Sequence, residues 1–399
     1  MNDEVREYCS VNTNIKEDNF VGIKVEDNKF SIHFPLGYGL GDTTFDVIKD
    51  VELLFKVLRR YGRKDGMSKS GFSETNLVER LPLYSYLDIY KYFLKFGYFQ
   101  ETEDIFQRNG SGKTMWDKTI KLNTPYKSGD EYYYFDFIKQ KKDIDHDHII
   151  TNIHKYCLNE AYNKIGWLYN MVIPEKPKSK INIEIMIIEL NKRIKNTFKT
   201  VDKELFKNLK NILMSLDFSA NSLLEYGTYH FEYVWENMID DVLGEKDKEN
   251  YFPRTSWEIL DMGPKHNRVL EPDTIFKDDD FIVVIDAKYY RYSETDKLND
   301  LPASSSINKQ ITYGEYVHNK YKNMTVYSAF LLPANNDFLN LFGVARADWK
   351  SNQNTYEEIL GVFMDIKLLM KNYINSSNEI KDKFIDNIKE MYEQKNSKK

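Results

Sequence analysis

The stretch RVLEPDTIFKDDDFIVVIDAKYYRY, residues 268–292, constrains the fold more than any other part of this chain. Its centre, FIVVI (281–285), is a short apolar run rich in β-branched residues and bounded by charge, so it reads as a core strand. KDDD (277–280) reads as the turn of a hairpin, which sets Phe276 across from Phe281 and Asp273 across from Val284. Cross-strand partners share a sheet face, and so do residues i and i+2. Asp273, Asp286 and Lys288 then all point the same way, with the two carboxylates as diagonal neighbours. Burying two acids and a lysine at the end of a core strand is unfavourable unless something binds there. Paired carboxylate oxygens suit Mg²⁺, which favours oxygen ligands and keeps several waters. An ion so held polarises a phosphoryl oxygen and acidifies a bound water. A lysine beside it can orient that water or stabilise developing negative charge.

The rest of the chain supplies context. At 399 residues it is long enough for two domains, and 41% hydrophobic and 15% aromatic residues are ample for globular cores. A net charge of −6 does not by itself point to nucleic acid, although RRYGRK (59–64), KQKK (139–142) and the lysine-rich 176–210 form local basic stretches. Two cysteines, Cys9 and Cys157, imply no disulfide framework. The polar, acidic MNDEVREYCSVNTN start is unlike a signal peptide, and no apolar run reaches transmembrane length, so a soluble cytoplasmic protein with no membrane association is expected.

Patterning predicts strands in 20–35 and helices at 44–62, after Pro82, and at 148–169, 181–199 and 202–217. It predicts a turn-rich 100–140 with a strand at EYYYFDFI, and a charged helical stretch over 355–396. The lysine- and proline-bearing PEKPKSK (174–180) reads as a linker. The expected division is therefore 1–172 and 173–399, with the chemistry in the second part.

Two other stretches invite chemical readings. NGSGKTMWDK (109–118) resembles the end of a phosphate loop, but Gln107 stands where the first glycine belongs, the lead-in is polar, and Pro125 soon follows. A glycine turn into a basic segment is the better reading, with Lys113, Lys118 and Lys121 placed to hold a polyanion or simply to face solvent. His146, His148, His154 and Cys157 lie close in sequence, but no second ligand pair accompanies them, and His154 and Cys157 fall on an apolar helix. Core packing is the expectation there.

Pro272-Asp273, a strand, then Asp286-Ala287-Lys288 resembles the PD-(D/E)XK nuclease superfamily. That resemblance implies an α/β (α+β) fold, in which a mixed sheet flanked by helices forms the C-terminal core beside an N-terminal α+β domain. It also implies a further glutamate on the preceding helix. YGTYHFEYVWENMIDDVL offers Glu232 and Glu236, and Trp235-Glu236 is closer to the restriction-enzyme pattern. Gln310 in INKQITYGEY is similar to the glutamine of the supporting helix. Tyr313 comes one residue earlier than the usual tyrosine, and Gly314 holds that place.

FPLGYG, NGSGKTMWDKTI, IHKYC, VWENM, PDTIF, IDAKYY and INKQ follow one another as in LlaJI-type, McrC-like restriction endonucleases. The resemblance implies a restriction–modification enzyme that cuts double-stranded DNA with Mg²⁺ in the manner of type II enzymes. Asp273, Asp286 and Glu236 would ligate the metal, Lys288 would assist the nucleophile, and residues 1–172 would serve DNA recognition or partner docking beside the 173–399 nuclease domain. It further implies a cognate methyltransferase, an McrB-like AAA+ GTPase partner, and a homodimer on DNA. The rivals are a repair or mobile-element nuclease of the same superfamily and a non-cleaving DNA-binding adaptor.

Overall fold

The computed structural model describes residues 5–397 apart from 27–28, 69–75, 146–147, 179–181, 218–222, 261, 337, 352 and 377–378. The chain forms two compact units, one of residues 1–79 with 225–399 and one of residues 80–224. The sequence-based division at 172/173 thus falls inside the second unit, and the first unit is discontinuous.

The first unit opens with β1 (Cys9–Val11), β2 (Val21–Glu26), β3 (Lys29–Phe34), α1 (Thr44–Ser68) and β4 (Val78–Glu79). Gly62 does not end α1 as expected. A Cβ there would come within 2.7 Å of Leu77 Cδ2, so the glycine permits close packing instead of a stop.

The second unit holds α2 (Leu83–Phe96), β5 (Glu101–Arg108), β6 (Lys113–Thr114), α3 (Trp116–Leu122), β7 (Tyr126–Ser128) and β8 (Glu131–Tyr133). It continues with β9 (Ile138–Asp145), α4 (Ile149–Tyr169), α5 (Ile183–Asn196) and α6 (Thr200–Asp217). α2 ends at Gly97, whose φ of +74° suits glycine. The region expected to be turn-rich, 100–140, contains the eight-residue strand β5, which pairs antiparallel with β9 from Glu101↔Asp145 to Arg108↔Ile138, and of the strand expected at EYYYFDFI only Glu131–Tyr133 and the first residue of β9 are extended. α5 packs on α4 and α6, so the proline-bearing connection joins helices of one unit and does not separate domains. His148 caps α4 through Nδ1, which accepts from the Ile150 amide, while His154 and Cys157 are fully buried, as core packing requires. His146 lies outside the described residues.

The chain then returns to the first unit with β10 (Leu224–Thr228), α7 (Phe231–Leu243), β11 (Ser256–Ile259), β12 (Gly263–His266), β13 (Thr274–Lys277) and β14 (Phe281–Ala287). After these come α8 (Tyr292–Thr295), α9 (Ser304–Lys320), β15 (Thr325–Ala334), β16 (Leu339–Ala345), β17 (Ile359–Asp365), α10 (Ile366–Asn375) and α11 (Glu379–Ser397). β10 inserts between β2 and β4 in a sheet ordered β1-β3-β2-β10-β4, which ties the chain's two ends into one unit. A second sheet is ordered β13-β14-β15-β17-β16, parallel at β14–β15–β17 and antiparallel at both edges.

The helix expected over 355–396 begins late. Its first part is β17, whose ILGVFM is a mostly buried run between β15 and β16. The helix starts only where Asp365 caps the Leu368 amide. Ile275, Ile282 and Val284 pack with Tyr313 and Val317 of α9 on one face of the second sheet. On the other face Phe276 meets Phe384 of α11, with 5.1 Å between ring centroids, and α11 in turn packs on α7. Both faces are covered, which explains the unbroken apolar run of β14. No described helix is long and apolar enough to cross a membrane.

Candidate active site at the end of β14

The hairpin that builds this site is tighter than the sequence suggests. β13 pairs with β14 as Thr274↔Ile285 through Lys277↔Ile282, and the Asp278 amide donates to the Phe281 carbonyl at 3.0 Å. Asp279 and Asp280 alone make the turn. The expected four-residue turn is therefore corrected to a two-residue one. Phe276 faces Val283, not Phe281, and the same register carried one residue beyond the strand sets Asp273 across from Asp286, not Val284. An even-numbered shift leaves every side chain on its original face. Asp273, Asp286 and Lys288 thus still share a face, with the two carboxylates directly opposed and no longer diagonal.

Asp273 Oδ2 accepts from the Ala287 amide at 2.8 Å, which locks the end of β14 to the start of β13. Asp286 is 2% exposed, and neither of its carboxylate oxygens has a hydrogen-bond partner. Lys288 Nζ lies 2.6 Å from Asp286 Oδ2, a charge contact that lacks hydrogen-bond alignment. Burial first, and then the Asp286 charge, hold the Asp273 carboxyl well above the usual range. Two facing acids, one of them buried without a hydrogen bond and touched by a lysine, form the candidate site.

Four further side chains support the site. Trp235 of α7 is fully buried and its Nε1 donates to the Leu331 carbonyl at 3.3 Å. That bond anchors α7 so that the half-buried Glu236 senses both Lys288 and Asp286. Burial, Asp286 and Glu232 raise the Glu236 carboxyl, against the pull of Lys288 and Lys309. Glu232 accepts from His230 Nδ1 at 2.9 Å. Gln310 of α9 is buried, and its Nε2 donates to the Val284 carbonyl at 2.7 Å. Tyr313, although one place early, donates its hydroxyl to the Glu271 carbonyl at 3.1 Å and so holds the Pro-Asp segment. A tyrosine could not replace Gly314, because even a Cβ there would come within 2.7 Å of Tyr356 Cβ.

Two lysines escaped the sequence reading. Lys309 Nζ lies 5.4 Å from the centre of the Tyr313 ring. Its burial opposes charge, but the Tyr313 hydroxyl, Asp286 and Asp273 raise its pKa overall. The signal was the helical i, i+4 spacing of Lys309 and Tyr313, beside the more conspicuous glutamine. Lys248 Nζ bridges Asp240 Oδ2 at 2.7 Å and the Asp273 carbonyl at 3.1 Å, a link across sequence that no local pattern reveals.

No group of three His, Cys, Asp or Glu side chains among the described residues is gathered into a ready metal cage. Mg²⁺ does not need one, because it is commonly held by one or two carboxylates with waters completing its shell. The opposed pair, with unbonded Asp286 oxygens, fits such an ion. Lys113, Lys118 and Lys121 lie in the other unit. There Gly112, at φ +119°, backs onto the Gln140 carbonyl, where a Cβ would approach to 2.2 Å. Lys113 pairs in a two-residue strand, and α3 starts only at Trp116. The turn is not a phosphate loop.

Comparison with known proteins agrees with the sequence resemblance. The model of the LlaJI restriction endonuclease family matches residues 20–367. The chain is 28% identical over 261 residues to the "Type II restriction enzyme BsuMI component YdjA" of Bacillus subtilis (strain 168). That match covers 60% of this chain and 55% of the relative, so the chain spans about half of that protein's length. Among solved structures, a chain in a "refined half-complex from tetradecameric assembly of Thermococcus gammatolerans McrB AAA+ hexamers with bound McrC" aligns with TM-score 0.37 and 14% identity. This alignment covers 91% of this chain and 83% of that one, a likeness too slight to establish a shared fold. With its family model matched over most of its length, this chain belongs to the LlaJI restriction endonuclease family.

Proposed function

We propose that this LlaJI-family chain is the Mg²⁺-dependent nuclease of a restriction system, hydrolysing phosphodiester bonds of double-stranded DNA at a PD-(D/E)XK site in its first unit. The observation that carries this reading is the buried Asp286, facing the half-buried Asp273, with neither Asp286 oxygen hydrogen-bonded and Lys288 Nζ 2.6 Å from Oδ2. Asp273 and Asp286 would hold the ion, with Glu236 at the rim. When bound, Mg²⁺ supplies Lewis-acid polarisation of the phosphoryl oxygen and acidifies a ligated water. Lys288, held 2.6 Å from Asp286, orients the attacking water and offsets developing negative charge. Lys309 faces the same acids and supports the neighbouring phosphate. Gln310 and Tyr313 position the two strands through backbone carbonyls. Lys113, Lys118 and Lys121 of the second unit contact DNA backbone.

A second reading, cleavage only together with other subunits such as an AAA+ GTPase, is favoured by one finding: the curated relative is named as a component of its enzyme. A cognate methyltransferase would protect the host's own sites. A homodimer would supply the two centres that cutting both strands requires.

The test is plasmid digestion in Mg²⁺, with and without co-expressed neighbouring genes, followed by sequencing of the cut ends. Site-specific ends that appear with the wild-type chain and vanish with Asp286→Ala support the proposal. Equal cutting by Asp286→Ala removes it. Cutting only with the neighbouring genes present selects the second reading.

A further inference from the structure

Immediately before the candidate site, β11 and β12 form a two-stranded ribbon paired Ser256↔His266, Trp257↔Lys265, Glu258↔Pro264 and Ile259↔Gly263. The ladder continues through Asn267, whose amide donates to the Thr255 carbonyl at 2.9 Å, and ends where the Leu270 amide donates to the Pro253 carbonyl at 3.0 Å. Leu270 is only three residues from Asp273. At about 3.3 Å per residue, the ribbon reaches roughly 20 Å from its foot to its tip.

Its surface is unusual for an isolated ribbon. Both strands are exposed along nearly their whole length. Yet Trp257 is 67% exposed, and Leu260 and Met262 at the tip are 89% and 66% exposed. Two strands without a covering layer are only marginally stable in water, so nothing in the fold rewards these apolar groups for standing there. Arg254, Lys265 and Arg268 are exposed, and the structure gives them no ion pair among the described residues. The apolar groups at the turn form a projecting tip and not a flat patch. That shape fits insertion better than face-to-face protein docking, and the unpaired cations fit a polyanion.

We propose that the β11–β12 ribbon enters the major groove of duplex DNA beside the cleavage site, with Leu260 and Met262 against thymine methyl groups and the flanking Arg254, Lys265 and Arg268 on phosphates. The major groove, about 12 Å wide, admits a two-stranded ribbon and exposes the thymine methyl. The inference rests on the reading of the adjoining site as one that acts on DNA. It adds a sequence-reading element within the first unit, joined to the segment that carries Asp273.

Binding to random-sequence duplex DNA in Ca²⁺, which tests the ribbon, is separable from cleavage in Mg²⁺, which tests the site. For the wild-type chain, replacing every thymine by uracil is expected to weaken binding about fourfold per methyl group covered, the worth of one buried carbon. Leu260→Ser with Met262→Ser should remove that difference without changing the melting temperature. Arg254→Ala and Arg268→Ala should each flatten the salt dependence by about one unit. The inference is overturned if thymine and uracil duplexes bind alike, if the tip variant retains the preference, or if the tip variant instead changes the chain's oligomeric state. Undiminished cleavage by Asp286→Ala, with the thymine preference intact, would reject the site and leave the ribbon standing.

Discussion

At the end of β14, charged side chains are buried and Asp286 lacks hydrogen-bond partners. In the turn between β5 and β6 the polar groups bond to one another. Asn109 Oδ1 accepts from the Phe137 amide at 2.8 Å, Asn109 Nδ2 donates to Asp136 Oδ1 at 2.6 Å, and Asn123 donates to the Asp136 carbonyl. Lys118 Nζ sits 3.0 Å from the centre of the Phe106 ring. Both segments contain a short motif that a pattern search would flag. Only one leaves polar atoms buried and unsatisfied, which is costly unless a ligand completes them. Unsatisfied burial, more than the motif string, separates the two.

The strongest way to break that contrast is to replace the buried groups. Asp286→Ala or Lys288→Ala should lower Mg²⁺-dependent cleavage by about a thousandfold or more, because each removes a group acting on the reacting phosphate. Binding in Ca²⁺ and the thermal transition should change little. Near-normal cleavage by either variant would show that unsatisfied burial misidentified the site.

A buried titratable group outside the candidate site should act on stability instead, even one such as His154 whose Nε2 has no hydrogen-bond partner. His154 is fully buried in the second unit, and its Nδ1 accepts from the Phe99 amide at 3.1 Å. Burial pushes its pKa down from 6.5 to about 4, against the Ile89 carbonyl, which raises it. With the folded-state pKa depressed, the unfolded chain binds the proton first. The stabilisation is complete above pH 6.5 and is lost as the pH falls from there towards about 4. Its full size is about 3 kcal/mol. Denaturant unfolding of wild type and His154→Gln across this range should converge at low pH. Parallel curves would contradict the assignment.

A smaller effect sharpens the comparison within α7. Glu236 faces Lys288 and Asp286, whereas Glu232 pairs with His230. Glu236→Gln should slow single-turnover cleavage by about ten- to a hundredfold, and Glu232→Gln by only a few-fold. The reverse order would move the third carboxylate to Glu232.

How much of this was legible beforehand differs by region for physical reasons. The face shared by Asp273, Asp286 and Lys288 could be read because side-chain alternation survives any even change in register. The direct opposition of the two acids could not, since it depends on whether two or four residues make the turn, and a run of three aspartates does not distinguish these. β17 was missed because its apolar run directly precedes the Asp365-capped helix, and periodicity cannot separate a short buried strand from a buried helical segment. The return of β10 to the N-terminal sheet, which makes the first unit discontinuous, is a long-range pairing with no local signature. Gly314 appeared as a departure from the family pattern and proved to be a packing requirement against Tyr356 and Ser328.

The smallest expected effect concerns Lys113. A phosphate loop presents free backbone amides to its ligand and opens a long helix behind them. In this chain Gly112 lies against the Gln140 carbonyl, Lys113 and Thr114 are paired to Gln140 and Lys139 of β9, and the following helix has seven residues. The Lys-Thr end of the would-be loop is therefore held in a strand pair. The purified chain should bind neither ATP nor GTP in calorimetry. Lys113 remains exposed, so its charge is available to a DNA backbone. Lys113→Ala should leave the fold intact and weaken DNA binding uniformly across sequences, with the salt dependence flattened by about one unit. If instead the wild-type chain bound a nucleotide at micromolar concentration and the variant did not, then bonded, well-satisfied surface turns could carry chemistry as readily as the unsatisfied strand end, and the contrast between the two regions would fail.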